Sequence, residues 1–284
     1  MKKSEFVWMN EGLVPLEQAA VSINDRGFLY GDGFFETLRA EDGRPQFLQE
    51  HLARLRASAI TFRIPFPDSF PWADRLSQLL AANGLEHGLA RVKILLSRGA
   101  APALGLPAAA RPTLVIWAQP YTPPGPEEYA RGWALATFPE RRTTFTGKHK
   151  SLNYLFYLAA RQYALDRGAD EALILEADGL VSEGAAASLV YARDGGFYTP
   201  QAPSALPGVT LEVLGRGLAQ RGLGLTCLPT TLSEIAQAEG LWLTNSLMGI
   251  MPVSSLDGRV LPISPATSLL QECLNLEAQS PPGN

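Results

Sequence analysis

The stretch that most limits what this chain can fold into is PYTPPGPEEY, residues 120–129, with four prolines and a glycine in ten positions. Each proline fixes φ and removes a backbone donor, so neither a helix nor a central strand is expected to run through it. It reads as an exposed connector. It divides the chain into residues 1–120, a linker at 121–129 and residues 130–284, and 284 residues are ample for two domains of ordinary size.

Both parts mix strand-like and helix-like segments. Residues 6–10 and 13–16 flank Asn10-Glu11-Gly12 and predict a hairpin, as do 34–40 and 44–48 around Glu41-Asp42-Gly43. Leu48, Leu52, Leu55 and Ala59 recur at helical spacing, and a second helix is predicted from Trp72 to Ala82, stopped by Asn83-Gly84. Residues 90–97 and 112–119 read as the strands that close this sheet. Beyond the linker, a strand at 133–138 precedes a helix predicted over 151–168, with Leu152, Leu155, Phe156, Ala159 and Tyr163 as its stripe. Four short strands follow, punctuated by Asp178-Gly179 and Asp194-Gly195-Gly196. Helices at 210–222 and 267–277 then enclose a strand at 240–246. Without strict βαβ repetition the expected class is α+β.

Bulk composition excludes several functions. A net charge of −4 with no Lys/Arg-rich run gives no footprint for nucleic acid or an anionic membrane. No apolar run is long enough to span a bilayer, and MKKSEFVWMN has no apolar segment behind its lysines, so a cytoplasmic location is expected. Cys227 and Cys273 lie far apart and are expected to be buried thiols. With three histidines, no metal site is expected.

The segment TGKHKSLNYL, 146–155, places Lys148 and Lys150 on either side of His149. A lysine whose amine is partly unprotonated can form a Schiff base with an aldehyde. If that aldehyde is a phosphorylated pyridine, its site needs an acid opposite the ring nitrogen, an anion cup and apolar faces for the ring. Glu183, in LVSEGAAAS, supplies an acid at a strand end before a run of small residues. LPGVTLEV opens a helix at Val209 and Thr210, whose N–H groups suit a phosphate. LTNSLMG places Thr244, Asn245 and Ser246 at the end of an apolar strand, a second candidate cup. Taken singly, each of these is an ordinary turn or cap.

In order along the chain these blocks resemble one family, the fold-type IV pyridoxal-phosphate enzymes or class IV aminotransferases. It includes branched-chain aminotransferases, D-amino-acid aminotransferases and 4-amino-4-deoxychorismate lyase. The resemblance runs from NDRGFLYGDGFFETLRAEDGRPQFLQEHLARL through KSLNYL, EALILEADGLVSEG and LPGVT to LTNSLMGIMPV. It implies a two-domain α+β fold like that of D-amino-acid aminotransferase. Pyridoxal 5'-phosphate would sit at the domain interface, and the enzyme would be a homodimer whose sites borrow a loop from the partner subunit. It also implies roles. Lys150, three residues before Asn153, is the Schiff-base lysine, and Lys148 falls outside the pattern. Arg54 in HLARL binds phosphate, Glu183 faces the pyridine nitrogen and Leu206 packs on the ring. Val209 and Thr210 form the phosphate-binding helix start, Ser246 adds a phosphate or substrate contact, and Tyr154 hydrogen-bonds near the phenolic oxygen. Tyr30, Phe35, Arg39 and Arg98 are the candidate substrate contacts.

The branches differ after proton removal: an aminotransferase releases a keto acid, whereas the lyase expels pyruvate and leaves p-aminobenzoate, a folate precursor. TNSLMGIMPV and GDGFFETLR resemble the lyases. LLSRGAAPALGLP departs from them, since Ala, Pro and Leu stand where lyases place an arginine and an aromatic. The same gap removes the arginine and histidine that D-amino-acid aminotransferases use. The step from Lys150 to Asn153 is one residue shorter than in branched-chain enzymes, and Leu211 replaces an arginine of the family's helix opening. The expected activity is therefore the lyase. An amino-acid aminotransferase of branched-chain or D-amino-acid type is the alternative, and a cofactor-binding protein without efficient turnover is a third reading.

Overall fold

The computed structural model describes residues 5–108 and 111–279. The chain forms two compact units, one of residues 1–122 with 149–154 and one of 123–148 with 155–284. The first crossing, between Thr122 and Pro123, falls inside the proline-rich stretch. The return of 149–154 to the first unit has no counterpart in a single-linker reading.

The first unit contains β1 (Phe6–Met9), β2 (Gly12–Pro15), α1 (Arg26–Tyr30), β3 (Gly33–Glu41), β4 (Arg44–Pro45), α2 (Leu48–Thr61), α3 (Trp72–Ala82), β5 (Leu89–Ser97) and β6 (Thr113–Pro120). Its six strands form an antiparallel sheet in the order β2-β1-β6-β5-β3-β4. Successive strand residues point to opposite faces. One face carries Phe34 and Leu38 from β3, Val92 and Ile94 from β5 and Ile116 from β6, all buried against α2 and α3. Of the stripe expected on α2, Leu52, Leu55 and Ala59 are buried, while Leu48 is only partly so. Leu76, Leu79 and Leu80 complete this core from α3, each such leucine worth about 1.5–3 kcal/mol of burial. Gly84 ends α3 in the left-handed region, at φ +69°.

The second unit contains α4 (Pro126–Arg131), β7 (Trp133–Thr137), α5 (Leu155–Leu165), β8 (Glu171–Leu175), β9 (Val181–Gly184), β10 (Ser188–Arg193), β11 (Gly196–Pro200), α6 (Val209–Gln220), β12 (Leu225–Leu228), α7 (Leu232–Ala236), β13 (Gly240–Asn245), β14 (Gly249–Leu256), β15 (Arg259–Val260) and α8 (Ala266–Gln279). Its sheet runs β12-β11-β10-β13-β14-β7-β8-β9, with β15 beside β14. The pairs β7/β8, β11/β12 and β14/β7 are parallel and the rest antiparallel, so the fold is α+β with mixed pairing. Parallel neighbours need a crossover, and α5 joins β7 to β8 as α6 joins β11 to β12. Gly217 in mid-α6 is explained by α8: a Cβ there would lie 2.4 Å from the Cys273 carbonyl oxygen.

Three expectations need correction. The 151–168 helix begins only at Leu155, and its buried residues are Ala160 and Ala164. Leu155 is 74% exposed, and Leu152 precedes the helix. Pro126 occupies the first turn of α4, where a missing N–H costs nothing, so the proline-rich stretch is partly helical. Cys273 is buried, but Cys227 on edge strand β12 is exposed. Among the described residues no helix is long and apolar enough to cross a membrane, and no cluster of ligating side chains could hold a metal.

Candidate active site

In the first unit the segment 149–152 runs beside the start of β3. Phe35 N–H donates to the Lys150 carbonyl at 2.8 Å, Leu152 N–H donates to the Gly33 carbonyl at 2.9 Å, and Phe34 bridges to Ser151. The Gly-Asp-Gly run permits this approach. A Cβ on Gly33 would lie 2.8 Å from Leu152 Cδ1 and 2.7 Å from the Leu96 carbonyl oxygen. One on Gly31, whose φ is +68°, would lie 3.0 Å from the Asn153 nitrogen. His149 anchors the segment: its Nδ1 is 3.0 Å from Ser58 Oγ, and its ring meets that of Phe62 edge-on. Lys150 Nζ then rests 4.8 Å from the Phe35 ring centroid and 5.5 Å from that of Tyr154, two rings that themselves meet edge to face. Lys148, by contrast, is exposed.

Arg54 extends from α2 towards the core face of β3, where Glu36 is 1% exposed. Its Nε and Nη2 donate to the two Glu36 oxygens at 2.8 and 2.6 Å, and His51 Nδ1 lies 2.6 Å from Oε2. Burial alone would push the Glu36 carboxyl up. The Arg54 guanidinium and His51 outweigh it and hold the group below the usual carboxylate range. This carboxylate, which fixes the plane of Arg54, was not identified from sequence. Its signal was the 36/51/54 pattern of opposite charges on an inward strand position and one helix face.

In the second unit Glu183 is 6% exposed on β9. Tyr157 Oη donates to Oε1 at 2.9 Å and Leu206 N–H donates to Oε2 at 3.0 Å. Tyr157 is thus the tyrosine at this acid, while Tyr154, expected near the phenolic oxygen, stands beside Lys150 in the first unit. The segment bearing Leu206 is tied to Glu176, itself 1% exposed. Glu176 accepts from Ser182 Oγ at 2.7 Å, Thr143 Oγ1 at 2.6 Å, Ser204 Oγ at 2.9 Å and Ser204 N–H at 3.1 Å.

The helix α6 opens after Gly208 with no side-chain cap, and its first residues, Val209 and Thr210, are buried. Thr210 Oγ1 lies 3.4 Å from Ser246 Oγ. A Cβ on Gly208 would come within 2.4 Å of Ser188 Oγ, and Ser188 pairs with Thr244 across the β10/β13 ladder. Among the described residues the buried Thr244 hydroxyl has no hydrogen-bond partner. Uncapped helical N–H groups beside an orphaned hydroxyl are the donors a phosphate takes up, so these residues fit an anionic phosphate ester. Asn245 serves the turn instead, accepting from Leu247 N–H at 3.0 Å and Met248 N–H at 2.9 Å.

A sequence model of amino-transferase class IV matches residues 33–256, from the first residue of β3 to the last of β14. This chain belongs to the class IV aminotransferase family. Its relatives include a Methanocaldococcus jannaschii protein provisionally named a branched-chain-amino-acid aminotransferase, 32% identical over 90% of this chain and 89% of that one. The aminodeoxychorismate lyase of Vibrio harveyi is 29% identical over 94% and 99%. Among solved structures, the branched-chain aminotransferase of Thermoproteus uzoniensis with norvaline superposes with a TM-score of 0.84 at 27% identity, covering 96% of this chain and 94% of that one.

Within the family frame, one expected substrate contact is corrected. Arg98 is fully buried, and its Nε and Nη2 donate to the two Asp32 oxygens at 2.7 and 3.0 Å. Nη1 donates to the Arg63 and Pro107 carbonyls at 3.1 and 2.9 Å, and Nη2 also to the Phe62 carbonyl at 2.7 Å. A guanidinium has five N–H groups, so none remains for a substrate carboxylate. Burial raises the Asp32 carboxyl, but Arg98 and Arg26 together bring it below its ordinary range. Of the other three candidates, Phe35 lies beside Lys150, Arg39 keeps N–H groups beyond its bond to Gln46, and Tyr30 ends α1 at 56% exposure.

Proposed function

We propose that this protein is a pyridoxal 5'-phosphate enzyme acting on a small primary amine, with Lys150 as the residue that bonds the cofactor's aldehyde. The observation that carries the reading is the placement of Lys150. Main-chain hydrogen bonds to β3 hold its segment, and two aromatic rings hold its amine. When bound, the pyridinium ring supplies an electron sink, so that the carbon beside the amine can release a proton. Lys150 would be the base that takes and returns that proton. Glu183, whose carboxylate Tyr157 and the Leu206 N–H hold in place, would keep the ring nitrogen protonated, and Leu206 would pack on the ring. In the second unit Val209, Thr210 and Ser246 would offer the phosphate its donors; in the first, Arg54, its angle fixed by Glu36, is the arginine that the family resemblance assigns to phosphate.

Within this chemistry we infer 4-amino-4-deoxychorismate lyase activity. It is supported by the run Thr244 to Val253, which resembles the lyases, and by the V. harveyi lyase, whose match extends over 99% of its length. An amino-acid aminotransferase is the second reading, favoured by the 32% identity to the M. jannaschii relative. The proposal includes a homodimer, which sedimentation tests, and a cytoplasmic location.

The purified protein with pyridoxal phosphate is expected to show a visible-edge absorption band that borohydride abolishes, leaving a covalent modification at Lys150. Lys150→Ala is expected to lose that band and about 10³-fold or more of turnover, whereas Lys148→Ala keeps both. A band unchanged in Lys150→Ala would overturn the assignment. Supplied with aminodeoxychorismate and a panel of L- and D-amino acids, the enzyme is expected to yield pyruvate and p-aminobenzoate. A keto acid without pyruvate release establishes the second reading, and a band without any product establishes a binding protein.

A further inference from the structure

Glu176 follows the last residue of β8 and is buried, and among the described residues every group that meets its carboxylate is neutral. Oε1 accepts from Ser182 Oγ and Ser204 N–H, and Oε2 accepts from Thr143 Oγ1 and Ser204 Oγ. The two hydroxyls at Oε2 have their direction set. Thr143 Oγ1 accepts from Ala177 N–H at 3.0 Å and Ser204 Oγ from Thr144 N–H at 2.8 Å, which turns their protons towards Glu176. An amide in place of this carboxylate would meet two of the four donors with protons of its own. A carboxylate taken out of water without a counterion weighs against stability, so cohesion of the core alone does not explain it.

Each of these donors belongs to a segment that bears on Glu183, and all lie in the second unit. Ser182 is the neighbour of Glu183 on β9. Ser204 stands two residues before Leu206, whose N–H donates to Glu183 Oε2 at 3.0 Å. Thr143 follows Arg142, whose guanidinium lies 4.7 Å from the ring centroid of Phe156 and 5.4 Å from that of Tyr157. Tyr157 Oη in turn donates to Glu183 Oε1 at 2.9 Å. The segments holding Thr143 and Ser204 also press together, since a Cβ on Gly147 would collide with the Ser204 carbonyl oxygen.

We propose that Glu176 is a positioning residue for Glu183, fixing the acid together with the segments that bear on its two donors, Tyr157 Oη and the Leu206 N–H. The inference rests on the reading of Glu183 above as the partner of the ring nitrogen. A carboxylate held by two donors presents its remaining lone pairs in one direction. Those donors come from positions far apart in sequence, so their alignment needs a third group bonded on both sides. Glu176 is that group. Because it acts through Glu183 on proton removal, its loss is expressed in kcat more than in KM.

The first measurement uses the protein without cofactor. In Glu176→Gln the Leu206 amide is expected to exchange with deuterium about 10-fold faster than in wild type, beyond any change at the Leu243 amide in the middle of the sheet. The second uses the holoenzyme with 4-amino-4-deoxychorismate or, where the aminotransferase reading holds, L-leucine. For Glu176→Gln, kcat is expected to fall about 10-fold with KM nearly unmoved. Glu176→Asp, which keeps two accepting oxygens, is expected to recover most of both effects. Added to Glu183→Gln, Glu176→Gln is expected to cost less than about 2-fold further, because the two act as one unit. Ser204→Ala removes a single hydroxyl and is expected to shift exchange and kcat the same way by about 3-fold, which tests the proposal even where Glu176→Gln does not fold. Exchange that rises equally at Leu206 and Leu243, or losses of kcat that multiply independently in the double variant, would assign Glu176 to the fold alone and overturn the proposal. A Glu183→Gln enzyme with wild-type kcat and cofactor band defeats the reading beneath it. A strongly impaired Glu183→Gln beside an unimpaired Glu176→Gln defeats only this inference.

Discussion

Glu36 and Glu171 are both buried carboxylates, yet they respond to pH in opposite directions. Glu36 is held below its ordinary range by Arg54 and His51 despite burial. Its contribution to stability is therefore present above the unfolded value, about 4.3, and is lost as pH falls through the lower folded value. Glu36→Gln breaks a buried pair and is expected to cost about 3–5 kcal/mol at pH 7, with the difference from wild type narrowing in acid. Chemical denaturation at pH 7 and pH 3 measures this, and a gap independent of pH would refute it. For Glu171, burial dominates over Arg161 and the backbone N–H groups it accepts, and the carboxyl is raised. Its favourable share is complete below the unfolded value and lost as pH rises through the higher folded one. Arg161 is partly solvated, so Glu171→Gln is expected to change stability at pH 8 by less than about 1 kcal/mol. A loss well beyond that in the same titration would show that the charge itself is needed. Residue roles differed in how far the sequence revealed them. The family resemblance picks Lys150 over Lys148 by its step to Asn153, and the structure sets the Lys150 amine by two rings while Lys148 is exposed. The bonds between Arg98 and Asp32, and between Arg54 and Glu36, join residues far apart in sequence, so Arg98 looked available and Glu36 went unremarked.

At the scale of elements, β3 does two tasks with its two faces and a third with its edge. Its inward residues build the core, its outward residues meet Lys150 and Lys93, and its first residues pair with 150–152. Gly33→Ala puts a methyl against Leu152 Cδ1 and the Leu96 carbonyl. It is expected to cost about 1–3 kcal/mol and to reduce borohydride labelling of Lys150 at limiting cofactor. Unchanged labelling with intact stability would show that the edge pairing does not position the lysine. The hairpins, α3 and α6 were legible because their turn and stop residues announce them: Asn10, Asp42-Gly43, Asn83-Gly84 and Gly208. The start of α5 was not, because Leu152, Leu155 and Phe156 keep helical spacing while 150–152 is drawn off into pairing with β3.

For the whole molecule, the proline-rich stretch contains the first crossing between the two units, whereas no composition change marks the return of 149–154. The first unit is completed by six residues whose flanks on both sides belong to the second. Melting one unit therefore releases or strains chain held by the other. Calorimetry of the intact protein is expected to show one transition, with calorimetric and van't Hoff enthalpies in agreement, and two resolved peaks would contradict it. The pairing of 33–35 with 150–152 has a further consequence during synthesis. A ribosome adding about 5–20 residues per second delivers Lys150 roughly ten seconds after β3. Through that interval the strand edge that will carry the lysine waits without its partner. A nascent chain must therefore protect a receptive edge long before it can take up its cofactor, and arrest of translation between these points would leave an adhesive intermediate instead of a slow enzyme.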